Sequence, residues 1–324
     1  MLLDNILFSA NAVIPIFVLF TVGYLLKQKN FFTEPFLAVA DKLVFKIALP
    51  CLLFSQVAFA KKSERQPEDL SVIWFCIVFI LITCLIPALV FPLFMKNCAV
   101  RGAFIQGVYR SNFAILGIPL ANSLFGSAGT RIAAIMLAIV IPLYNVLAVW
   151  LLTVNDPCKL EKNSSAFHNM LEVLKGIVKN PLIISIVLAL PFYLFSLTLP
   201  NMIKQSITYF ADISTPLALL TIGANFNFSS LKGRVGLALC ATFLKTAAVP
   251  AVYVTIAALL GFRGVHLGII YIVFGSPTAV SSYIMAKNMN SDYQLAGQIV
   301  LLTTLFSILT VFCGSFLLRT TGLI

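Results

Sequence analysis

Long runs of apolar residues, separated by short polar segments, extend along almost the entire chain. A run of about 20 apolar residues forms a helix long enough to cross a hydrocarbon layer of about 30 Å. The pattern therefore predicts an all-α polytopic membrane protein with about ten transmembrane helices. The predicted spans are 8–26, 36–59, 70–95, 103–124, 130–154, 179–199, 204–226, 235–260, 265–287 and 293–318.

Composition supports a membrane location and excludes several other classes. The 324 residues are 60% hydrophobic and 10% charged, more apolar than the core of a soluble protein of this size requires. The net charge of +11 comes from Lys and Arg at the ends of the runs, so it predicts membrane orientation and no nucleic-acid partner. The seven Cys show no paired spacing, so we expect no disulfide, metal or cofactor. The first run has no basic residue before it and no small-residue cleavage site, so we expect a retained helix.

The distribution of Lys and Arg predicts the orientation in the cell (inner) membrane. Loops on one side carry eleven basic residues and loops on the other carry seven, so both termini are expected to be non-cytoplasmic. The eleven are Lys27, Lys29, Lys96, Arg101, Lys159, Lys162, Lys175, Lys179, Lys232, Arg234 and Lys287, and the seven are Lys61, Lys62, Arg65, Arg131, Lys204, Arg263 and Arg319.

The longest polar connector divides the chain into two halves. Its later part has apolar residues on one helical stripe, which predicts an interfacial amphipathic helix on the cytoplasmic surface. We expect a first five-helix repeat at 1–155, the connector at 156–178 and a second repeat at 179–324. Because five is odd, the second repeat enters the membrane from the opposite side, as in an inverted-topology repeat.

The same interruption occurs in predicted spans four and nine. Gly117-Ile118-Pro119 and Gly275-Ser276-Pro277 are both Gly-x-Pro sequences inside apolar runs. A proline removes a backbone N–H and frees a carbonyl, and such groups survive at membrane depth only where protein or water satisfies them. Paired broken helices are the best sequence indication of a transporter binding site, and their half-helix N-termini favour anions. We therefore predict that helices four and nine are broken and cross at Gly-x-Pro.

Polar side chains lie close to both interruptions. Asn112 precedes the first, and Ser276, Thr278, Ser281 and Ser282 surround the second. Each can either contact a ligand or satisfy a backbone group freed by the break, and the sequence leaves both interpretations open.

Three charged residues lie within apolar runs. Lys46 and Asp212 each stand four residues before a proline, and Lys245 is in the middle of span eight. Since an isolated charge at this depth is costly, we expect either an ion pair between Asp212 and Lys245 or a role in coupling and charge balance. Three others are nearer to helix ends, where side chains reach the interface: Asp41, Lys42 and Arg110.

These features resemble the auxin efflux carrier family. The segment from Asn112 to Leu120 is similar to the family pattern Asn-x-x-x-x-Gly-Ile-Pro-Leu, and 286–290 is similar to its Ala-Lys-x-x-Asn segment. The resemblance implies ten helices in two inverted repeats, a panel of spans one, two, six and seven that also forms a homodimer contact, and alternating access. It also implies that Asn112 binds the substrate carboxylate.

The combined interpretation is a secondary transporter of a small organic anion, a malonate-like mono- or dicarboxylate, without enzyme activity. A sodium-coupled symporter of the bile-acid transporter type and a non-transporting membrane receptor are the alternatives. The residues expected to bind substrate are Asn112, Gly117, Ile118, Pro119, Gly275, Ser276, Pro277, Thr278 and Ser281, and those expected to couple or balance charge are Lys46, Asp212 and Lys245.

The orientation can be tested with Ser164→Cys in a cysteine-free background. Because the connector is predicted to be cytoplasmic, this cysteine should resist an impermeant maleimide in intact cells and react after permeabilisation. Ready labelling in intact cells would show that the orientation is the reverse.

Overall fold

A computed structural model describes residues 2–59, 67–157, 178–225 and 234–324, and every regular element in these ranges is helical. The predicted all-α class is therefore confirmed, whereas the expected amphipathic helix of the connector lies mainly outside the described residues. The helices are α1 (Leu2–Gln28), α2 (Glu34–Leu43), α3 (Leu49–Ala58), α4 (Pro67–Val90), α5 (Cys98–Tyr109), α6 (Phe113–Val154), α7 (Pro181–Phe195), α8 (Asn201–Asn225), α9 (Val235–Phe243), α10 (Val249–Leu259), α11 (Gly264–Gly275), α12 (Ser281–Asn288) and α13 (Tyr293–Thr320).

Several of these helices are long and apolar enough to cross a bilayer. Within the described ranges, four stretches meet this description, and α13, bent by 41°, is a fifth. The four are Asp69–Leu93, Leu124–Val154, Asn201–Asn225 and Val235–Leu259. Shorter apolar helices include α7 and α11. The architecture fits a polytopic membrane protein, while the count of ten spans and the inverted repeats stay predictions.

The helices pack as two groups. In the first, α8 contacts α1, α2 and α3, and α3 also contacts α7. In the second, α11 contacts α6 and α10, and α13 contacts α5, α9 and α12, with α4 against α5 and α6. We call the first group (α1, α2, α3, α7 and α8) the panel and the second the bundle. The two groups meet along a boundary where α3 contacts α6 and α12 contacts α8.

Local irregularities occur in the middle of the long helices. Two π turns, Val44–Ala48 and Leu244–Ala248, join α2 to α3 and α9 to α10, and a proline follows each within two residues. A proline cannot donate the next helical hydrogen bond, so the ladder widens there instead of ending. At Gly126 the backbone has φ +61° and ψ −140°, which divides α6 into two helical segments.

Ion pairs tie helices together near both ends of the molecule. Asp69 of α4 accepts from Nη1 and Nη2 of Arg131 in α6, and His266 of α11 lies 3.3 Å from the same carboxylate. At the turn between α1 and α2, Lys27 donates to Glu34 over 2.5 Å. This hydrogen bond and the positive charge of Lys27 lower the pKa of the Glu34 carboxyl.

Two glycines allow the backbones of α1 and α8 to touch. A Cβ at Gly223 would overlap the carbonyl of Phe20, and a Cβ at Gly23 would overlap the carbonyl of Leu220. Close approach through small residues is how helices gain packing energy in a membrane, where apolar burial alone provides little.

We predict that Gly223→Ala lowers the free energy of unfolding by about 1–3 kcal/mol, the usual effect of overpacking. Gly236→Ala in α9 is the matched control, because a Cβ there has open space around it. The measurement is the thermal unfolding midpoint in detergent. Equal midpoints for the two variants would show that the α1–α8 contact is not close-packed.

Candidate functional site

The two helix breaks of the bundle cross and are joined by hydrogen bonds. One lies between α5 and α6, at Arg110–Asn112, and the other between α11 and α12, at Ser276–Val280. The backbone N–H of Asn112 donates to the carbonyl of Pro277 over 2.7 Å. The hydroxyl of Thr278 donates to the carbonyl of Gly107 over 2.6 Å. Each break thus satisfies backbone groups that the other leaves without a helical partner.

The position of the first break corrects the sequence prediction. The helix is interrupted before Asn112, whereas Gly117, Ile118 and Pro119 lie inside the helical run of α6. A helical proline frees only about two backbone groups, and α1, α4, α7 and α8 each contain one without ending. Gly117 packs under the ring of Phe113, where a Cβ would collide with it. The prediction holds for the second break, which begins directly after Gly275 and contains Pro277.

A buried arginine lies at the crossing. The side chain of Arg110 is 3% exposed, and its Nη2 donates to Asn145 Oδ1 over 2.7 Å and to Ser281 Oγ over 2.8 Å. Its Nη1 lies against the sulfur of Met285. None of these partners carries a charge, and in the described part of the chain no carboxylate forms an ion pair with this guanidinium.

A small cavity opens beside this guanidinium, at the boundary between panel and bundle. Its volume is about 60 Å³, which is enough for a few water molecules or part of a small ligand. Among the described lining residues, Arg110 is the one with a charge. The lining residues are Leu49, Leu52, Leu53, Gln56, Ser214, Thr215 and Ala218 from the panel, and Arg110, Ser111, Asn112, Ile141, Tyr144, Asn145, Ala279, Val280 and Ser281 from the bundle.

The lining contains polar groups that are buried without a hydrogen-bond partner among the described residues. The amide nitrogen of Asn112, whose side chain is 4% exposed, is one of them, and the hydroxyl of Ser214 is another. A buried unpaired donor costs about 1–3 kcal/mol, so such groups indicate a water or ligand position. Asn112 contributes from the bundle and Ser214 from the panel, so the cavity presents unpaired polar groups from both sides.

The other residues expected around the second break have structural partners. The hydroxyl of Ser276 donates to the carbonyl of Ile272 in the preceding helix, α11, over 2.6 Å. Thr278 is held on both sides, because its N–H also donates to the hydroxyl of Thr303 over 3.1 Å. Of the serines and threonine named from the sequence near this break, Ser281 faces the cavity, while the hydroxyl of Ser282 is buried away from it without a partner in the described residues.

The charged residues predicted from the sequence do not meet. Lys46 and Asp212 have exposed side chains on the panel, and neither lines the cavity. Lys245 is completely buried in the bundle and donates to the carbonyl of Phe274 over 3.0 Å. The expected Asp212–Lys245 ion pair is therefore wrong. The ammonium of Lys245 instead caps the C-terminal end of α11, where free carbonyls favour a cation.

Sequence reasoning missed Arg110, Asn145 and Gln56 as site residues. Arg110 was expected to reach the interface because it lies in the first part of its span. Its proximity to Asn112, two residues away, was the one available signal, since both belong to the same break. Asn145 and Gln56 come from other helices, and no local pattern relates them to either break.

Comparison with known proteins agrees with this architecture. A family model described as membrane transport protein matches residues 8–313. The chain belongs to this membrane transport protein family. The resemblance to auxin efflux carriers is thereby confirmed at the level of the family.

Two archaeal relatives of this transporter family match over nearly their full lengths. One, from Methanocaldococcus jannaschii, is 24% identical over 308 residues, which cover 93% of this chain and 96% of the relative. The other, from Methanothermobacter thermautotrophicus, is 22% identical over 310 residues, covering 94% and 96%. Both are named only as uncharacterized transporters, so they agree with the family assignment and name no substrate.

The crossing can be tested through the hydroxyl of Thr278. Thr278→Val keeps the side-chain shape but leaves the Gly107 carbonyl without its donor, so the free energy of unfolding should fall by about 1 kcal/mol or more. Thr278→Ser keeps the donor and serves as the control. The thermal midpoints of the two purified variants provide the comparison, and an equal loss in both would mean that this bond does not stabilise the crossing.

Proposed function

We propose that the protein is a secondary transporter that carries a small organic anion, a mono- or dicarboxylate, by alternating access. The observation that carries this proposal is Arg110, a buried guanidinium that lines a cavity and has only neutral partners. A charge at this depth is strongly unfavourable unless it is paired. A bound carboxylate would supply the missing negative charge and accept from the fork of guanidinium N–H groups.

The helix termini at the crossing favour the same ligand charge. Both α6 and α12 begin at the breaks, directly after Asn112 and Val280, and both of these residues line the cavity. The N-terminus of a helix carries a partial positive charge and free N–H groups, which attract anions. The unpaired amide nitrogen of Asn112 adds a side-chain donor. We therefore place the substrate carboxylate between Arg110 and Asn112.

The location of the cavity supports transport rather than stable storage of a ligand. Its walls come from two helix groups, so a movement of the bundle against the panel would change access to it. We propose that the chain is organised as two inverted five-helix repeats, 1–155 and 179–324, joined by the connector 156–178. In this arrangement each half contributes one break to the site and part of the panel.

The described residues favour neither a sodium-coupled symporter nor a receptor. A sodium ion requires several oxygen ligands, and the described residues that line the cavity include no carboxylate. At the C-terminal end of α11, the carbonyl of Phe274 already accepts a hydrogen bond from the ammonium of Lys245. Neither observation favours a second cation, and no feature of the described helices favours a receptor.

The exposed charges of the panel suggest a homodimer contact. Lys46 and Asp212 are exposed on the apolar panel, where lipid would solvate them poorly. A second copy placed against this face would shield them. This arrangement agrees with the homodimer that the family resemblance implies, and it leaves the charges outside the substrate site.

Binding measurements on the purified protein test the site. We would screen small mono- and dicarboxylates, including malonate, by thermal shift and then measure affinities by calorimetry. Arg110→Met should abolish binding, and Arg110→Lys should restore part of it because the charge remains without the planar fork. Asn112→Ala should weaken binding by about 1.5–3 kcal/mol, the usual contribution of a hydrogen bond to a charged group.

Ser276→Ala is the matched control for these variants. Its hydroxyl lies at the same crossing but donates to the Ile272 carbonyl at the end of α11, so the affinity should not change. Unchanged affinity in the folded Arg110→Met variant would place the anion elsewhere. If no carboxylate binds the native protein, the proposed substrate class is wrong.

Alternating access also predicts a breakable link between panel and bundle. Lys287 of α12 forms a 2.5 Å ion pair with Asp41 of α2, and the Asp41 carboxylate is 4% exposed. Asp41→Asn should loosen the boundary between panel and bundle, so that a cysteine at Ser214 in the cavity wall reacts about fivefold faster or more with an impermeant reagent from the Lys287 side. The swap Asp41→Lys with Lys287→Asp should restore the slow rate.

The ion pair between Arg234 and Asp292 provides the control. It is 3.0 Å long and joins α9 to α13 within the bundle, so Asp292→Asn should leave the Ser214→Cys rate unchanged. Equal rates in all variants would show that the Asp41–Lys287 pair does not control access.

A further inference from the structure

A second and larger cavity lies on the outer face of the bundle, between α10 and α13. Its volume is about 550 Å³, within the range of small-molecule sites, and it shares no lining residue with the Arg110 cavity. Its walls are largely apolar, with Val254 and Leu259 on one side and Leu317 on the other. Leu259 is 82% exposed and Leu317 is 61% exposed, so this groove opens towards the membrane.

The floor of the groove is fixed by specific contacts. Tyr271 of α11 lies between the two walls, and its hydroxyl donates to the carbonyl of Thr310 over 2.7 Å. Gly314 leaves space for this ring, because a Cβ there would collide with the tyrosine hydroxyl. The shape of the groove is therefore fixed by the ring of Tyr271 and by Gly314 on the facing helix.

One end of the groove carries a positively charged group with free donors. Arg263 lines the groove and is exposed, and its Nη1 donates to the carbonyls of Ala258 and Phe262 at 2.5 and 2.7 Å. These two bonds hold the guanidinium at the C-terminal end of α10. The Nε and Nη2 groups have no partner among the described residues, so two adjacent donor positions remain for an anion.

We propose that this groove binds an anionic phospholipid, with an acyl chain along α10 and the phosphate on Arg263. The helical part of the wall from Pro250 to Leu259 is about 14 Å long, which is about the depth of one leaflet. An apolar channel of one leaflet's depth with a cation at its end matches the amphiphilic pattern of a lipid. This proposal is independent of the substrate site, because the two cavities have separate walls.

A selectivity measurement tests the lipid site. Purified protein would be titrated with phosphatidylglycerol or phosphatidylcholine, and the bound lipid counted by native mass spectrometry. The native chain should bind phosphatidylglycerol about fivefold more tightly, the usual effect of one basic residue near a membrane surface. Arg263→Gln should remove this preference, and Arg263→Lys should keep most of it.

Two controls separate the headgroup from the chain. Lys204→Gln removes an equal charge from α8, outside the groove, and should leave the preference unchanged. Ala251→Trp should fill the groove and reduce the binding of both lipids, whereas Leu239→Trp on the exposed face of α9 should not.

Three results would overturn the proposal. One is equal affinity of the native chain for the two lipids, and another is an unchanged preference in Arg263→Gln. The third is loss of a homodimer in Ala251→Trp, which would show that a second copy covers the groove. Because Arg263 is exposed, the test remains decisive even if Ala251→Trp fails to fold.

Discussion

The structure depends on one constraint, which is that backbone groups inside a membrane must find partners within the protein. Where α5 and α11 end in the middle of the bundle, their last carbonyls and the N–H groups that follow have no partner in their own helix. Each break supplies a partner for the other. Asn112 donates to the Pro277 carbonyl, and Thr278 donates to the Gly107 carbonyl. Each broken helix is stable because the other one is broken beside it.

Charge at the crossing follows from the same arrangement. The N-terminal ends of α6 and α12 and the guanidinium of Arg110 all bring positive potential to one cavity. The C-terminal end of α11 brings negative potential, and the ammonium of Lys245 compensates it at the Phe274 carbonyl. The two buried cations therefore differ in role. Lys245 has a backbone partner that matches its charge, whereas Arg110 has only neutral partners, and for this reason we propose that it binds the ligand.

Much of the fold was predictable because the bilayer imposes it. A run of about 20 apolar residues can only be helical in lipid, so the all-α class follows from hydropathy alone. The second break was also predictable, since Gly275 and Pro277 interrupt an apolar run and the chain does leave the helix there. The first break was not, because Pro119 is accommodated inside α6 while the interruption is fixed by tertiary bonds at Asn112.

The site was less predictable than the fold, because burial depends on which helix faces which. Lys46 and Lys245 have similar sequence contexts, since each lies in an apolar run shortly before a proline. Their backbones are also similar, since each residue is in a π turn. One is exposed and the other completely buried, and only the packing of the neighbouring helices distinguishes them. Arg110 is similar, since its partners Asn145 and Ser281 are 35 and 171 residues away along the chain.

We propose that a bound carboxylate neutralises Arg110 at the crossing of the two breaks. A structure of the purified protein with a carboxylate that it binds would show whether the ligand lies there. We expect ligand density within hydrogen-bonding distance of both the Arg110 guanidinium and the Asn112 amide nitrogen, between panel and bundle. Density at another location, with the Arg110 cavity containing only water, would contradict it.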